Sequence, residues 1–457
     1  MLLIDRSLAR KLLFLASVTV TLCFARAAQP TNAWAEPGES RFGDSTWVAP
    51  NLYPEGDPSE IGPRVNDADQ EKGWETALRT PFRVAFFPLR LLGDGFEKVA
   101  DFGERYARNH GLDRAPSGPE RATSGSVRIA PQFKMSGTTG FGAGPRVRAP
   151  LGGGLFRGDA YWTTKDNRFV RGRGLFGEGS AAIGVGAEAL YDYRPNRRFY
   201  GIGNDAGPER TIFLVRENRG DSWVFFGRDS TQRVRALLGI SDVHIGNGYG
   251  DPHHMSDIFD PDDVPFMGTD SRVWSYGLGG QFASVDRLNQ PSRGVHFLGE
   301  ARRMISADSR DLRFRSWRAE GRTYLPIGAD RRVLALRGVY TGVDPEHGSE
   351  PVPFYRLPTS TGWDRFYAYS GDRFRDQRLV IAQAEYRWLI WSSSLWAAAI
   401  AQRGGVAPTT SALRYSGMRE SYGGGLRLQL SDLHSARLDV THGTQGTNIN
   451  LDLDAEF

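Results

Sequence analysis

The chain contains very little cysteine and very little lysine. Its 457 residues include a single cysteine, Cys23, which lies near the amino terminus. If that segment is removed on export, the mature chain can form neither a disulfide nor a cysteine-ligated metal site. Only five of the 57 basic residues are lysine, and acidic residues are interleaved with the arginines. With a net charge of +4, the chain has no basic patch of the kind that binds nucleic acid.

Long apolar runs are also missing. Beyond residue 27, no stretch of about 18 or more residues is continuously apolar, which excludes a transmembrane helix. The best candidate, 388–401, is interrupted by three serines at 392–394 and predicts two short strands joined by a turn. The mean hydropathy of −0.43 is typical of soluble proteins, but a β-barrel hides its apolar residues in an alternating pattern. Mean hydropathy therefore does not exclude a membrane barrel.

The amino-terminal segment has the features of a secretory signal peptide. Three basic residues among the first eleven precede an apolar run over 12–24, and residues 25–27 (ARA) match a small-x-small cleavage site. We predict a signal peptide over 1–27. Lipidation of Cys23 is a less favoured alternative, because the residues before it match a lipoprotein signal poorly.

Composition and periodicity divide the rest of the chain into four segments. Residues 28–80 are rich in Pro, Gly, Asp and Trp, which predicts an irregular periplasmic segment. Over 81–114, apolar residues recur at helical spacing and predict a short amphipathic helix, packed on the following domain or lying on the membrane surface. Residues 115–125 form a Pro- and Gly-containing linker, and the pattern over 126–457 is that of β-strands.

The last nine residues, 449–457, alternate without exception between apolar and polar side chains and end on Phe457. Alternate residues of a strand point to opposite faces, so this segment has one apolar face and one acidic face. A transmembrane strand needs about 9–11 residues of this pattern, whereas a soluble amphipathic edge strand is the alternative. Phe457 is interpreted both as an interfacial anchor and as a carboxyl-terminal signal for barrel assembly.

Earlier segments repeat this alternation, with arginine and glutamate concentrated on one face. The clearest examples lie over 317–323, 380–390, 426–430 and 436–440. We count about 14–16 strands from residue 126 onward, at the spacing of membrane barrels. An open sheet edge in hydrocarbon would leave backbone groups unpaired, so the sheet must close. The sequence therefore predicts an all-β fold: a transmembrane antiparallel β-barrel with a charged interior, in the bacterial outer membrane.

Four short stretches resemble motifs of one family of such barrels, the bacterial surface antigens or BamA/TamA superfamily. In chain order they are 199–204 (FYGIGN), 286–294 (DRLNQPSRG), 372–376 (DRFRD) and 384–387 (AEYR). The resemblance covers roughly 130–457. It implies a sixteen-stranded barrel whose long loop between strands 11 and 12 folds into the lumen, and a weak lateral seam between the first and last strands.

The chain departs from the family pattern at the start of this loop. Residues 366–369 (FYAY) replace a tetrapeptide with arginine at its second position, so Tyr367 takes the place of the arginine. In the family, that arginine pairs with an aspartate on strand 13, which corresponds to Gln402 here. A buried carboxylate without its cation is costly, so the two changes belong together, and a Tyr–Gln hydrogen bond is a neutral replacement. Arg373, Arg375 and Arg403 are alternative partners for Glu385. The predicted loop and lumen anchor residues are Tyr367, Arg373, Arg375, Asp376, Glu385 and Gln402.

The second departure concerns function. Family members that insert or translocate proteins carry periplasmic βαββ repeats before the barrel, and 36–125 show no such repeat. We therefore expect a monomeric barrel, surrounded by outer-membrane lipid and lipopolysaccharide, that aids assembly, insertion or transport of protein or lipid with a periplasmic accessory protein. The alternative is a passive or structural pore whose lumen arginines favour anions.

Catalytic and metal motifs are weak. The densest group of potential metal ligands combines His253 and His254 with four aspartates within 257–263, but its spacing matches no EF-hand and is typical of a solvated loop. There is no Gly-x-Ser-x-Gly, His-Glu-x-x-His or phosphate-loop motif. We predict no catalytic residue, cofactor or metal, and a surface enzyme is the least favoured alternative.

Overall fold

The computed structural model describes residues 127–453 apart from short gaps. The gaps are 137–138, 152–153, 178–182, 230–231, 250–252, 287–290, 329–330, 362–363, 365, 392–394 and 430–434. Five predicted features lie outside the described residues, namely the segments 1–27, 28–80, 81–114 and 115–125 and the terminal Phe457.

The described residues form one antiparallel sheet in which each strand pairs with the next in chain order. The sixteen strands are β1 Arg128–Ser136, β2 Gly140–Leu151, β3 Gly154–Thr163, β4 Arg168–Phe176, β5 Ile183–Phe199, β6 Thr211–Asp229, β7 Gln232–Asn247, β8 Ser271–Val285, β9 Gly294–Ser306, β10 Arg313–Pro326, β11 Arg332–Pro345, β12 Arg378–Trp391, β13 Leu395–Ala407, β14 Arg419–Gln429, β15 Ser435–Gly443 and β16 Gly446–Leu453. The short helix α1 spans Met255–Ile258. Within these described ranges, no helix is long and apolar enough to cross a membrane.

The first and last strands of the sheet are neighbours. Cα atoms of β1 and β16 approach within 8 Å. Every other neighbouring pair of strands is joined by a hydrogen-bonded ladder, whereas none joins β1 to β16 in the described part of the chain. We call this junction the seam.

Polarity across the barrel wall is the reverse of that in a soluble protein. On β12, Glu385 is 0% exposed and Arg387 is 2% exposed, and both face the interior. On the outer face, Leu278 of β8 is 63% exposed and Ile449 of β16 is 67% exposed. Apolar side chains on the outside and charged ones inside are the pattern of a transmembrane barrel. The predicted all-β fold with a charged interior is confirmed.

The two ends of the barrel differ in the length of their connections. One end carries the long connections 200–210, 248–270, 346–377 and 408–418, and the other end carries short turns. Membrane barrels have short periplasmic turns and longer extracellular loops, so the long connections mark the outer end. At the periplasmic end, the β8–β9 turn is capped by the Asp286 carboxylate, which accepts from the backbone N–H groups of Ser292 at 2.9 Å and Arg293 at 3.0 Å.

An apolar cluster occupies the outer end of the interior. Phe354 lies at its centre, with ring centroids 5.1 Å from Phe199 and 5.0 Å from Phe213. The cluster also includes Phe314 and Val352, and all five side chains are buried. We call it the outer cap. It packs the connection between β11 and β12 against the wall of the barrel.

Candidate functional site

The connection between β11 and β12, residues 346–377, contacts the interior wall of the barrel at several points, and we call it the lumen loop. It folds back on itself through paired backbone bonds, with the Ser360 N–H donating to the Phe374 carbonyl at 3.0 Å. A β-bridge links Thr359 to Arg375. This self-pairing presents the residues between them, including Asp364 and Tyr367, to the barrel wall.

Asp364 ties the lumen loop to β10 and β11. Its carboxylate accepts hydrogen bonds from Arg318 and, at 2.7 Å, from Arg337. The same arginines contact Glu320, which also accepts from Arg322 at 2.7 Å. Burial favours the neutral acid, but the Arg318 guanidinium outweighs it and lowers the pKa of Asp364 below its ordinary value of 3.8. The loop is therefore held here by an ionised carboxylate.

Tyr367 ties the loop to β13 and β16 through its backbone. Its N–H donates to Gln402 Oε1 at 2.8 Å, and its carbonyl oxygen accepts from Asn448 at 3.0 Å and Asn450 at 2.7 Å. The guanidinium of Arg437 lies 4.2 Å from the centroid of the Tyr367 ring. The structure thus brings Tyr367 and Gln402 together, but the bond uses the backbone amide and leaves the ring to stack on a cation.

Glu385 lies at the centre of a second ion-pair cluster, on the wall beside Tyr367. Its carboxylate contacts Arg387 at 2.8 Å, Arg427 at 2.9 Å and Arg437 at 3.4 Å. Arg427 and Arg437 also contact Asp439, which is 0% exposed. The two buried carboxylates of Glu385 and Asp439 are therefore paired with three arginines. Buried charges need such partners, because an unpaired charge in the interior is costly.

The arginines predicted as alternative partners of Glu385 contact other groups instead. Arg403 pairs with Glu420 at 2.6 Å. Arg373 donates to Gln445 at 3.1 Å and to the Ala206 carbonyl at 2.7 Å. That part of the prediction was wrong, because the stagger between strands decides which arginine reaches which carboxylate, and the alternation along one strand carries no such information.

Arg375 is fully buried and lies beneath the outer cap. It donates to the Phe354 carbonyl at 2.8 Å and to Asp372 at 3.2 Å, and Asp372 in turn contacts Arg197 of β5 at 3.0 Å. Burial lowers the pKa of Arg375 to about 9, so the guanidinium is protonated at neutral pH. The neighbouring Asp376 accepts from the Gln377 N–H at 2.7 Å, and burial raises its pKa.

Residues 199–204 contact the lumen loop and also β13 and the connection between β13 and β14. Gly203, with φ of 103°, donates its N–H to the Arg375 carbonyl at 2.8 Å. Asn204 accepts from the Val406 N–H at 2.9 Å and donates to the Gly417 carbonyl at 3.0 Å. The sequence identified this stretch by resemblance, but it gave no sign of these contacts with residues so distant along the chain.

A cavity of about 290 Å³, lined by charged, polar and apolar side chains, lies between the lumen loop and the wall formed by β4 to β12, and we call it the chamber. Its lining includes Arg219, Glu300 and Ser316 from the strands and Arg356 from the loop. Sequence reasoning missed the chamber. The one sign of the chamber in the sequence was the excess of arginine over lysine. Biased codon usage would explain that excess equally well.

The densest group of potential metal ligands in the sequence, which was not predicted to bind a metal, is spread over the β7–β8 connection. The Asp257 carboxylate caps α1 by accepting from the His254 N–H at 2.8 Å, and Asp260 accepts from the Asp262 N–H at 3.0 Å. In the described ranges, no group of three or more His, Cys, Asp or Glu side chains is placed to hold a metal ion.

Comparison with known proteins gives a fold but no sequence family. No protein-family model and no curated protein matches the chain. Among solved structures, BamA from Haemophilus ducreyi lacking POTRA domains 1–3 superposes with a TM-score of 0.56 at 13% identity, over 72% of this chain and 69% of that one. The chain has the BamA-type barrel fold. CdiB from Escherichia coli matches with a TM-score of 0.48 at 11% identity, over 72% of this chain and 63% of that one.

The BamA-type fold and the apolar outer face both indicate that the protein lies in the outer membrane. A barrel with lipid-facing apolar residues and short turns at one end is a bacterial outer-membrane protein. The predicted resemblance and the predicted localisation are both confirmed at the level of the fold. At 13% identity the likeness extends no further than that.

Proposed function

We propose that this chain is an outer-membrane barrel that aids assembly, insertion or transport of protein or lipid, with the seam as the place where cargo enters the membrane. One observation carries the proposal. The seam is the junction without a ladder in the described part of a sheet whose other neighbouring strands are all laddered. Unpaired strand edges recruit other strands, and leaving them unpaired in hydrocarbon is costly. An incoming strand or lipid at the seam relieves that cost.

The lumen loop supports the same proposal by controlling the last strand. Asn448 and Asn450 of β16 both donate to the Tyr367 carbonyl, and the Tyr369 hydroxyl contacts Thr444 in the β15–β16 turn at 3.1 Å. Movement of the loop therefore changes the position of one edge of the seam. We propose that Tyr367, Arg373, Arg375, Asp376, Glu385 and Gln402 act together to anchor the loop in the lumen.

The proposal also covers the oligomeric state of the barrel, the lipids around it and a partner protein. The barrel is monomeric and contacts outer-membrane lipid and lipopolysaccharide, and a periplasmic accessory protein supplies substrate handling. We assign it no enzymatic role. Crosslinking in cells followed by purification tests the accessory protein, since a partner with periplasmic repeats is the expected product.

A disulfide across the seam tests the mechanism. Cysteine pairs placed on β1 and β16 are compared with the pair Val440→Cys and Ile449→Cys, which are opposite each other on the β15–β16 ladder. Locking the seam should abolish complementation of a deletion strain, a reductant should restore it, and the β15–β16 lock should have no effect. Full complementation by the oxidised seam lock would refute the seam mechanism.

A passive, anion-favouring pore is the second candidate, and the arginine-lined lumen favours it. The ion pairs of Asp364 and the outer cap oppose it, because they fix the lumen loop across the interior. Conductance in planar bilayers separates the two. A near-silent barrel supports the assembly role, and a stable open channel with anion selectivity supports the pore.

A further inference from the structure

The chamber has an unbalanced charge. Nine arginines and six carboxylates line it. Eight of these arginines have a carboxylate oxygen within 4.0 Å, as Arg219 has in Asp221 at 3.1 Å and Arg235 has in Glu300 at 2.5 Å. Arginines outside the lining draw on the same carboxylates, since Arg337 shares both Glu320 and Asp364. Acids outside the lining compensate in turn, since Arg194 pairs with Asp192 and Arg197 with Asp372, so the surplus of positive charge is smaller than the lining count alone gives.

Arg356 is the exception among the lining arginines. It enters the chamber from the lumen loop and donates to two hydroxyls, those of Ser271 at 3.2 Å and Ser241 at 3.3 Å. No carboxylate of the described residues lies within 4.0 Å of its guanidinium. The nearest acid along the network is Glu217, which accepts from Ser241 at 3.0 Å. A guanidinium held by hydroxyls alone retains most of its capacity to bind an oxyanion.

A buried hydroxyl in the chamber has no partner in the described part of the chain. Ser316 of β10 is 3% exposed and lines the chamber, and its hydroxyl oxygen has no hydrogen-bond partner among the described residues. Buried polar groups are nearly always hydrogen-bonded, so an unpartnered hydroxyl facing a cavity points to a bound species. The chamber volume of about 290 Å³ lies just below the range of about 300–1,000 Å³ for small-molecule sites.

We propose that the chamber is a binding site for a phosphate group, held by Arg356, either as free phosphate or as the phosphomonoester of a small sugar or glycerol compound. Arginine matches the oxygen geometry of phosphate, and arginines outnumber carboxylates in the lining around it. The carboxylates that those arginines already bind are not free to hold a cation. This inference does not depend on the seam, so its failure leaves the assembly proposal unaffected.

Equilibrium dialysis of the folded barrel in neutral detergent tests the site, with radiolabelled inorganic phosphate and glycerol 3-phosphate as separate probes. We expect saturable binding of one probe at one site per chain, and a loss of affinity of about 10-fold or more in Arg356→Gln, the scale of a charge-assisted hydrogen bond. The control is Arg310→Gln, an exposed arginine stacked on Phe266 outside the chamber, which should bind as the wild type does.

Which of the two probes binds shows whether the site takes free phosphate or a phosphomonoester. Heat-modifiable migration on gels verifies that each variant is folded. Arg356→Lys keeps the charge and should retain part of the affinity even if Arg356→Gln folds poorly. Absence of saturable binding of both probes to the wild type would overturn the proposal. Equal affinity in the wild type and folded Arg356→Gln would overturn it too.

Discussion

The carbonyl oxygen of Tyr367 accepts a hydrogen bond of 2.7 Å from the side-chain amide of Asn450, which connects the lumen loop to the last strand of the barrel. Asn448 donates to the same oxygen at 3.0 Å. Asn448→Ala with Asn450→Ala should loosen β16 and the loop together. We expect a loss of about 1–3 kcal/mol in the free energy of unfolding, because a buried carbonyl is left without its donors.

Urea unfolding in detergent, together with limited proteolysis of the lumen loop, measures this effect. Asn247→Ala, an exposed asparagine at the end of β7, is the matched control and should change neither readout. Unchanged loop cleavage in the double variant would show that the asparagines do not hold the loop.

The predicted correspondence of Tyr367 and Gln402 to an Arg–Asp pair can be tested by substitution. Tyr367→Arg alone places a second cation beside Arg437, whose guanidinium now lies 4.2 Å from the ring centroid, and should destabilise the barrel. Adding Gln402→Asp should recover about 0.5–3 kcal/mol of that loss, the range found for directly coupled residues. A double-mutant cycle of unfolding free energies gives the coupling. Strict additivity would show that the two positions do not interact.

Glu385 should be the most sensitive carboxylate on the lumen wall. Glu385→Gln removes the charge shared by Arg387, Arg427 and Arg437 and should cost about 3–5 kcal/mol of unfolding free energy. The matched control, Glu420→Gln, breaks the exposed pair with Arg403 and should cost less than about 1 kcal/mol. Chemical unfolding of both variants measures the difference, and similar losses would contradict the assigned importance of the cluster.

Acid should release the lumen loop. The pKa of Asp364 is lowered below its ordinary value of 3.8 in the folded barrel, so its contribution to stability is complete above that value. The contribution declines as the pH falls through the lower pKa of the folded state. Thermal unfolding and loop proteolysis between pH 7 and pH 2 should show this decline, and Asp364→Asn should flatten it. The same pH profile in the variant would assign the transition to other groups.

The positions of the carboxyl-terminal strands could be predicted from the sequence. The alternating segments predicted over 380–390 and 436–440 lie within β12 and β15, because side-chain alternation is a local property of a strand. The irregular region over 211–245 gave no clear boundaries, although it forms the two long strands β6 and β7. The run of buried residues at 211–215 and the polar residues at the exposed positions 216 and 218 interrupt the alternation in β6.

Contacts across the lumen could not be predicted in the same way. Glu385 on β12 pairs with Arg427 on β14 and Arg437 on β15, and strand stagger and tilt decide this pairing. The Tyr367–Gln402 contact was predicted because a paired departure from a family motif links two distant positions. The donors Asn448 and Asn450 were missed, because nothing in the alternation of β16 distinguishes them from other interior polar residues.

Photo-crosslinking in living cells tests the seam most directly. A photoreactive amino acid replaces Ile129 on the lipid-facing side of β1, where the side chain is 72% exposed, and in parallel Leu278 on β8, which is 63% exposed and distant from the seam in strand order. The account predicts capture of a barrel protein or lipid cargo at residue 129 and none at 278. Equal capture at the two positions, or none at 129 in cells that depend on the protein, would contradict it.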